Sequence, residues 1–246
     1  VGIILMEQHI PLAEIPAKSW FPGTLALGAL FIVIFNLMAR TSQELGVSVA
    51  SVATKMSLTI PVLLGVYLYR EELGPIKVIG VLLALLAVYF SSVKRTHLPV
   101  SKRLLYLPLL VFLGSGVIDA SIQYCEQNLL PPGEFPVFSS TVFASAACCG
   151  LIFILIRSSR EKISIAPRSI LGGIALGVPN FFSIYFLLRA LQNEALNSAS
   201  VFTINNVAIV MFSTLLGILL FREHLSTRNW IGISLAVVSI FLVAAF

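Results

Sequence analysis

The sequence predicts an all-α integral membrane protein, an inverted-repeat helix bundle with eight helices present. Three observations predict it: an apolar composition, apolar segments of bilayer length, and a self-similarity between segments of opposite orientation. Of the 246 residues, 58% are hydrophobic and 11% charged, and the mean hydropathy is +0.98. A soluble domain carries about 25% charged residues. The deficit is too large for a globular surface, and the charges gather between the apolar stretches.

A helix needs roughly 20 apolar residues to cross a hydrocarbon layer about 30 Å thick. Eight segments approach or reach that length: A at 20–39, B at 46–69, C at 76–93, D at 104–124, E at 135–156, F at 169–188, G at 197–221 and H at 230–246. Membrane-spanning backbone is helical or forms a closed barrel, and barrel strands alternate polar and apolar residues. Val78-Ile79-Gly80-Val81-Leu82-Leu83-Ala84-Leu85-Leu86 does not alternate. These segments are therefore helices.

Charge distribution sets the orientation. The loops on the side of the C/D connection hold eleven cations: Arg40, Lys94, Arg95, Lys102, Arg103, Arg157, Arg160, Lys162, Arg168, Arg222 and Arg228. The other side holds four: Lys18, Arg70, Lys77 and Arg189. By the positive-inside rule the first side is cytoplasmic and the C-terminus lies outside. The net charge of +5 thus orients the protein, and no nucleic-acid partner is expected. Cys125, Cys148 and Cys149 have no metal-ligand spacing, and His9, His97 and His224 fall outside the segments. Neither a metal, a cofactor nor a catalytic nucleophile–base pair is expected, so an enzyme is not predicted.

A shift of 152 residues lays B–C on G–H without a gap. Ser48-Val49 meets Ser200-Val201, Leu63-Leu64-Gly65 meets Leu215-Leu216-Gly217, and Arg70-Glu71 meets Arg222-Glu223. Leu73 then meets Leu225, Ile79-Gly80 meets Ile231-Gly232, and Leu83-Ala84 meets Leu235-Ala236. G follows B by five spans, so the copies are inverted in the membrane, a construction recurrent in secondary transporters. With a five-helix unit, 98–246 forms a complete second repeat and 1–97 the last three helices of the first. The opening Val1-Gly2-Ile3-Ile4-Leu5 reads as the tail of a cut helix. Eight helices of an expected ten are therefore present.

The stretches GVSVASVATKMSLTIPVLLGVYLYREELGPIKVIGVLLALLAVY and NSASVFTINNVAIVMFSTLLGILLFREHLSTRNWIGISLAVVSI resemble the fourth–fifth and ninth–tenth helices of EamA-type permeases of the drug/metabolite transporter superfamily. The resemblance implies ten helices in two inverted halves, a central cavity, alternating access, a bacterial inner-membrane location and a small organic solute. Both termini are often drawn as cytoplasmic in such relatives; the charge count here places the C-terminus outside. Coupling to a proton or a counter-solute, a homodimer and the identity of the solute stay open. The alternatives are a channel or a non-transporting bundle or receptor.

Polar residues within the segments are the candidate solute site, because a mid-bilayer charge costs about 2.5–3.5 kcal/mol on insertion scales. Lys55 lies near the middle of B, either as a counter-ion for an anionic solute or as half of a structural ion pair. Asn205 and Asn206 occupy in G the level of Thr54 and Lys55 in B. They either bind solute or bridge helices. Ser115, Asp119, Gln123 and Glu126 follow one another on one face of D. Asp119 is the candidate partner of Lys55 and Gln123 a candidate contact, while Glu126 is placed at the membrane interface. Weaker candidates are Asn36 in A, Thr203 in G, and Asn180, Ser183 and Tyr185 in F; Pro61 and Pro179 are candidate kinks.

Overall fold

The computed structural model describes residues 11–45, 47–70, 74–92, 104, 106–131, 133–159, 167–193, 195–221 and 227–245. Among these a short 3-10 helix, Leu12–Ala17, precedes nine α-helical segments and no strand. The segments are α1 (Phe21–Leu45), α2 (Val47–Met56), α3 (Thr59–Tyr69), α4 (Pro75–Ser92), α5 (Tyr106–Asn128), α6 (Phe135–Ser158), α7 (Pro167–Leu191), α8 (Ser198–Phe221) and α9 (Thr227–Ala245). The predicted all-helical class is observed, with segment B divided into α2 and α3. Among the described residues five helices are long and apolar enough to cross a membrane. The cation-rich connections at 94–103, the three histidines, Val1–Leu5 by number 1–5, and residues 71–73 and 222–226 of the repeated turn lie outside the described residues.

The chain divides into two compact units. The first comprises Val1–Val33 and Ser121–Gln192. Its firmest polar anchor is Glu134, which caps α6 and is buried. One carboxylate oxygen accepts from Lys18 Nζ at 2.6 Å and the other from Trp20 Nε1 at 2.7 Å. Gly133, at φ 93°, makes the turn that delivers Glu134 to this position. Trp20 is fully buried and meets Phe138 edge-on, with ring centroids 5.8 Å apart. Higher along α1, Gly28 lies against α6 so closely that a Cβ would fall 2.5 Å from Ser145 Oγ. That approach is how small residues let membrane helices pack. The far ends of α6 (151–159) and α7 (167–179) are exposed on every face and rich in Leu, Ile and Phe, a surface suited to lipid.

The second unit comprises Ile34–Ala120 and Asn193–Phe246. Here α4 and α9, the helices that correspond in the repeat, pack directly on one another. Ala84 and Ala87 of α4, Ala236 of α9 and Val207 of α8 form an apolar seam, and Ser239 Oγ of α9 donates to the Gly80 carbonyl of α4 at 2.7 Å. A second cluster joins Leu58 and Val62 to Val81 and Ala199. Gly114 and Gly116 of α5 lie hard against Ile34 and Ile60 respectively. At the end of α3, Arg70 adopts the left-handed conformation (φ 51°), and its N–H bonds to the Gly65 carbonyl, stopping the helix.

Glu134→Ala leaves the buried Trp20 N–H without an acceptor, so it should cost about 2–3 kcal/mol of stability. Thermal unfolding in detergent checks this, and Lys18→Met, at a partly exposed position, should lower the midpoint by less.

Candidate functional site

The break between α2 and α3 follows from one residue. Pro61 has no N–H, so the Ser57 carbonyl loses its helical donor. The Ile60 N–H takes that carbonyl instead, at 2.9 Å, and the Leu58 N–H reaches the Lys55 carbonyl at 3.4 Å. Two hydroxyls satisfy the neighbouring carbonyls: Ser57 Oγ donates to Thr54 at 2.6 Å and Thr59 Oγ1 to Met56 at 3.0 Å. Regular bonding resumes with Val62 N–H to the Leu58 carbonyl. The break is therefore supplied locally with partners, as hydrocarbon requires. The repeat explains why α8 has no equivalent break. Position 213, which corresponds to Pro61, is Ser, and α8 runs unbroken over Ser198–Phe221.

Lys55 sits in the last turn of α2, half-buried, immediately before this break. The negative end of a half-helix favours a cation there. Asp119 of α5, also half-buried, lies within Coulombic range of it. The two couple through space, with no direct ion pair between them among the described residues. The pairing expected from the sequence is thus present as a charge interaction.

The other candidates in this unit sit on α8 and α1. Asn206 is buried and returns its Nδ2 to the Phe202 carbonyl at 3.0 Å, while Asn205 is half-buried. Thr203 is fully buried and its hydroxyl meets no partner. Asn36 is exposed on α1. Val207, the repeat counterpart of Lys55, is packed in the apolar seam.

Gln123, Asn180, Ser183 and Tyr185 belong to the first unit. Gln123 is fully buried, whereas Asn180, beside Pro179, is half-buried and Ser183 exposed. Tyr185 stacks on Phe181 at 6.4 Å and carries the Arg189 guanidinium 5.3 Å from its ring centre. Glu126 is buried within the protein two residues before the end of α5. Sequence reading passed over Ser57 and Thr59; a hydroxyl two and four residues before Pro61 was the available signal. Among the described residues no group of three His, Cys, Asp or Glu side chains could hold a metal ion.

The EamA-like transporter family profile matches residues 1–93 and 105–245. The chain belongs to the EamA-like transporter family. It is 32% identical over 223 residues to an uncharacterized protein of Haemophilus influenzae, covering 89% of this chain and 74% of that protein. A solved crystal structure at 15% identity superposes with a TM-score of 0.72, covering 98% of this chain and 81% of its own. That likeness concerns fold alone. Together with its membrane-length helices, membership makes this EamA-family chain a multi-pass integral membrane protein of the drug/metabolite transporter type.

Two outcomes test the local chemistry. Pro61→Ala restores an N–H at the break, so backbone amides near 57–61 should gain protection from hydrogen exchange. Thr203→Val removes a hydroxyl that bonds to nothing, and should be neutral or stabilising by up to about 1 kcal/mol in thermal unfolding.

Proposed function

We propose that this EamA-family protein is a secondary transporter that moves a small organic solute across a bacterial inner membrane by alternating access. The observation that carries the reading is Lys55 at the end of a broken membrane helix, with Asp119 in Coulombic range. Discontinuous helices bring half-helix ends to the mid-membrane solute sites of transporters. In this reading the Lys55 ammonium meets an anionic group of the solute. Asp119 balances that ammonium when the site is empty and yields it when solute arrives. Without a hydrogen-bonded ion pair to dismantle, the exchange of partners is easier than from a closed salt bridge. Asn205, Asn206 and Thr203 of α8, and Asn36 of α1, are the further proposed contacts. Broken helices such as α2–α3 also flex at the break, which suits α3 to move against α2 during the cycle.

Lys55→Ala should lower counter-solute-stimulated uptake of anionic metabolites into liposomes at least about tenfold, equivalent to about 1.4 kcal/mol. Asp119→Asn should lower it less. Wild-type kinetics in Lys55→Ala, with the protein correctly inserted, would remove Lys55 from the site, and single-channel currents would replace the carrier with a pore.

A further inference from the structure

The exchange of partners at Lys55 leaves Asp119 with a charge that its surroundings do not balance. The face of α5 that bears Asp119 is held against the broken segment. Gly116, one turn before Asp119 and on the same face, lies so close to Ile60 of α3 that a Cβ would clash with that side chain. Lys55 ends α2 just ahead of the same break. Both charged residues are half-buried rather than sealed, so a proton reaches them without the helices coming apart.

Among the described residues Lys55 is the charged group within Coulombic range of Asp119. On the elements packed nearby, Arg40 and Glu44 stand at the end of α1, and Tyr67, Tyr69 and Arg70 at the end of α3. Tyr106 opens α5, and Glu126 lies near its other end, with no described charge acting on it. No charged residue occurs in α8. The charge count then follows. Empty, the site holds one cation and one anion. With a singly charged anion on Lys55 it holds two negative charges against one positive. A surplus charge within a membrane protein is costly, and a carboxylate that loses its cation there escapes the cost by binding a proton. A neutral Asp119 carboxyl returns the loaded site to zero.

We propose that Asp119 is a proton-binding site, and that a singly charged organic anion on Lys55 crosses together with one proton held there. The proton comes from water on the loading side as the anion takes Lys55. On the far side the anion leaves, the Asp119 O–H bond breaks, and the proton passes to water. The carboxylate then balances the Lys55 ammonium again. Empty and loaded sites both carry no net charge, so the membrane potential drives neither crossing. This inference rests on the transport reading above and supplies its coupling ion.

The first test takes infrared spectra of the full chain in detergent at neutral pH, with no solute present. Lys55→Met withdraws the cation, as a bound anion would, while keeping the side chain's length. The protonated-carboxyl band should grow by one group per chain relative to wild type, and should fall back when Asp119→Asn is added. The second test offers an isotopically labelled mixture of carboxylate and phosphate metabolites to liposomes holding the full chain, read by mass spectrometry. Anions whose uptake is lost in Lys55→Ala should accumulate about tenfold inside for each pH unit by which the interior is more alkaline. They should not respond to an imposed membrane potential. Asp119→Asn should abolish the response to the pH gradient while part of the counter-solute exchange persists, since exchange moves no net proton. An unchanged carboxyl band in Lys55→Met, or gradient-driven accumulation in Asp119→Asn, overturns the proposal. If no uptake depends on Lys55, the transport reading fails by itself, and the infrared result still decides whether Asp119 binds a proton when its cation is withdrawn.

Discussion

Hydrocarbon offers no hydrogen bonds, and that constraint governs each unit of this protein. Every polar group that enters a membrane helix must find a partner inside the protein or remain costly. The break between α2 and α3 meets the demand with two hydroxyls and two backbone bonds that reach back three residues instead of four. Ser239 meets it across the α4–α9 seam by donating to Gly80. Glu134 meets it with two donors, Lys18 and Trp20, one on each carboxylate oxygen. Against this background the exceptions are conspicuous. Thr203 on α8, Gln123 and Glu126 on α5 and Ser139 on α6 are buried with polar atoms left over.

The internal repeat shows how one frame is turned to different uses. The two copies share glycines, the Arg-Glu-x-Leu turn and an apolar following helix, and the following helices α4 and α9 pack together through alanines. The preceding helices differ at many positions, two of which set them apart structurally. Pro61 breaks one where Ser213 allows the other to continue. Lys55 puts a charge before that break where Val207 fills an apolar seam. A proline and a lysine six residues apart thus distinguish a helix with a charged interruption from a plain span.

Much of this was legible before any coordinates. Span positions followed from the apolar runs, and the helices α5, α6 and α7 extend only a few residues beyond the segments expected. Lys55 and Asp119 were paired on charge and depth, and they lie within Coulombic range. That Glu126 is covered by protein was not legible, because depth along a helix says nothing about what covers its side. The ring of Tyr185 is engaged by Phe181 and Arg189, a three-dimensional circumstance that composition does not carry.

What the sequence determined by itself is the class of protein: length, hydropathy and a repeat at fixed offset are one-dimensional properties, and lipid reads them directly. It offered Pro61 and Pro179 alike as candidate kinks, but only the fold shows a break before Pro61 while α7 runs on through Pro179. Tertiary structure decided which polar residues are satisfied. Asn206 is partnered by its own helix, whereas Gln123 is not partnered at all, although both are carboxamides within apolar segments. The difference rests on distances to other groups of about 3 Å, a scale on which only folded geometry can choose.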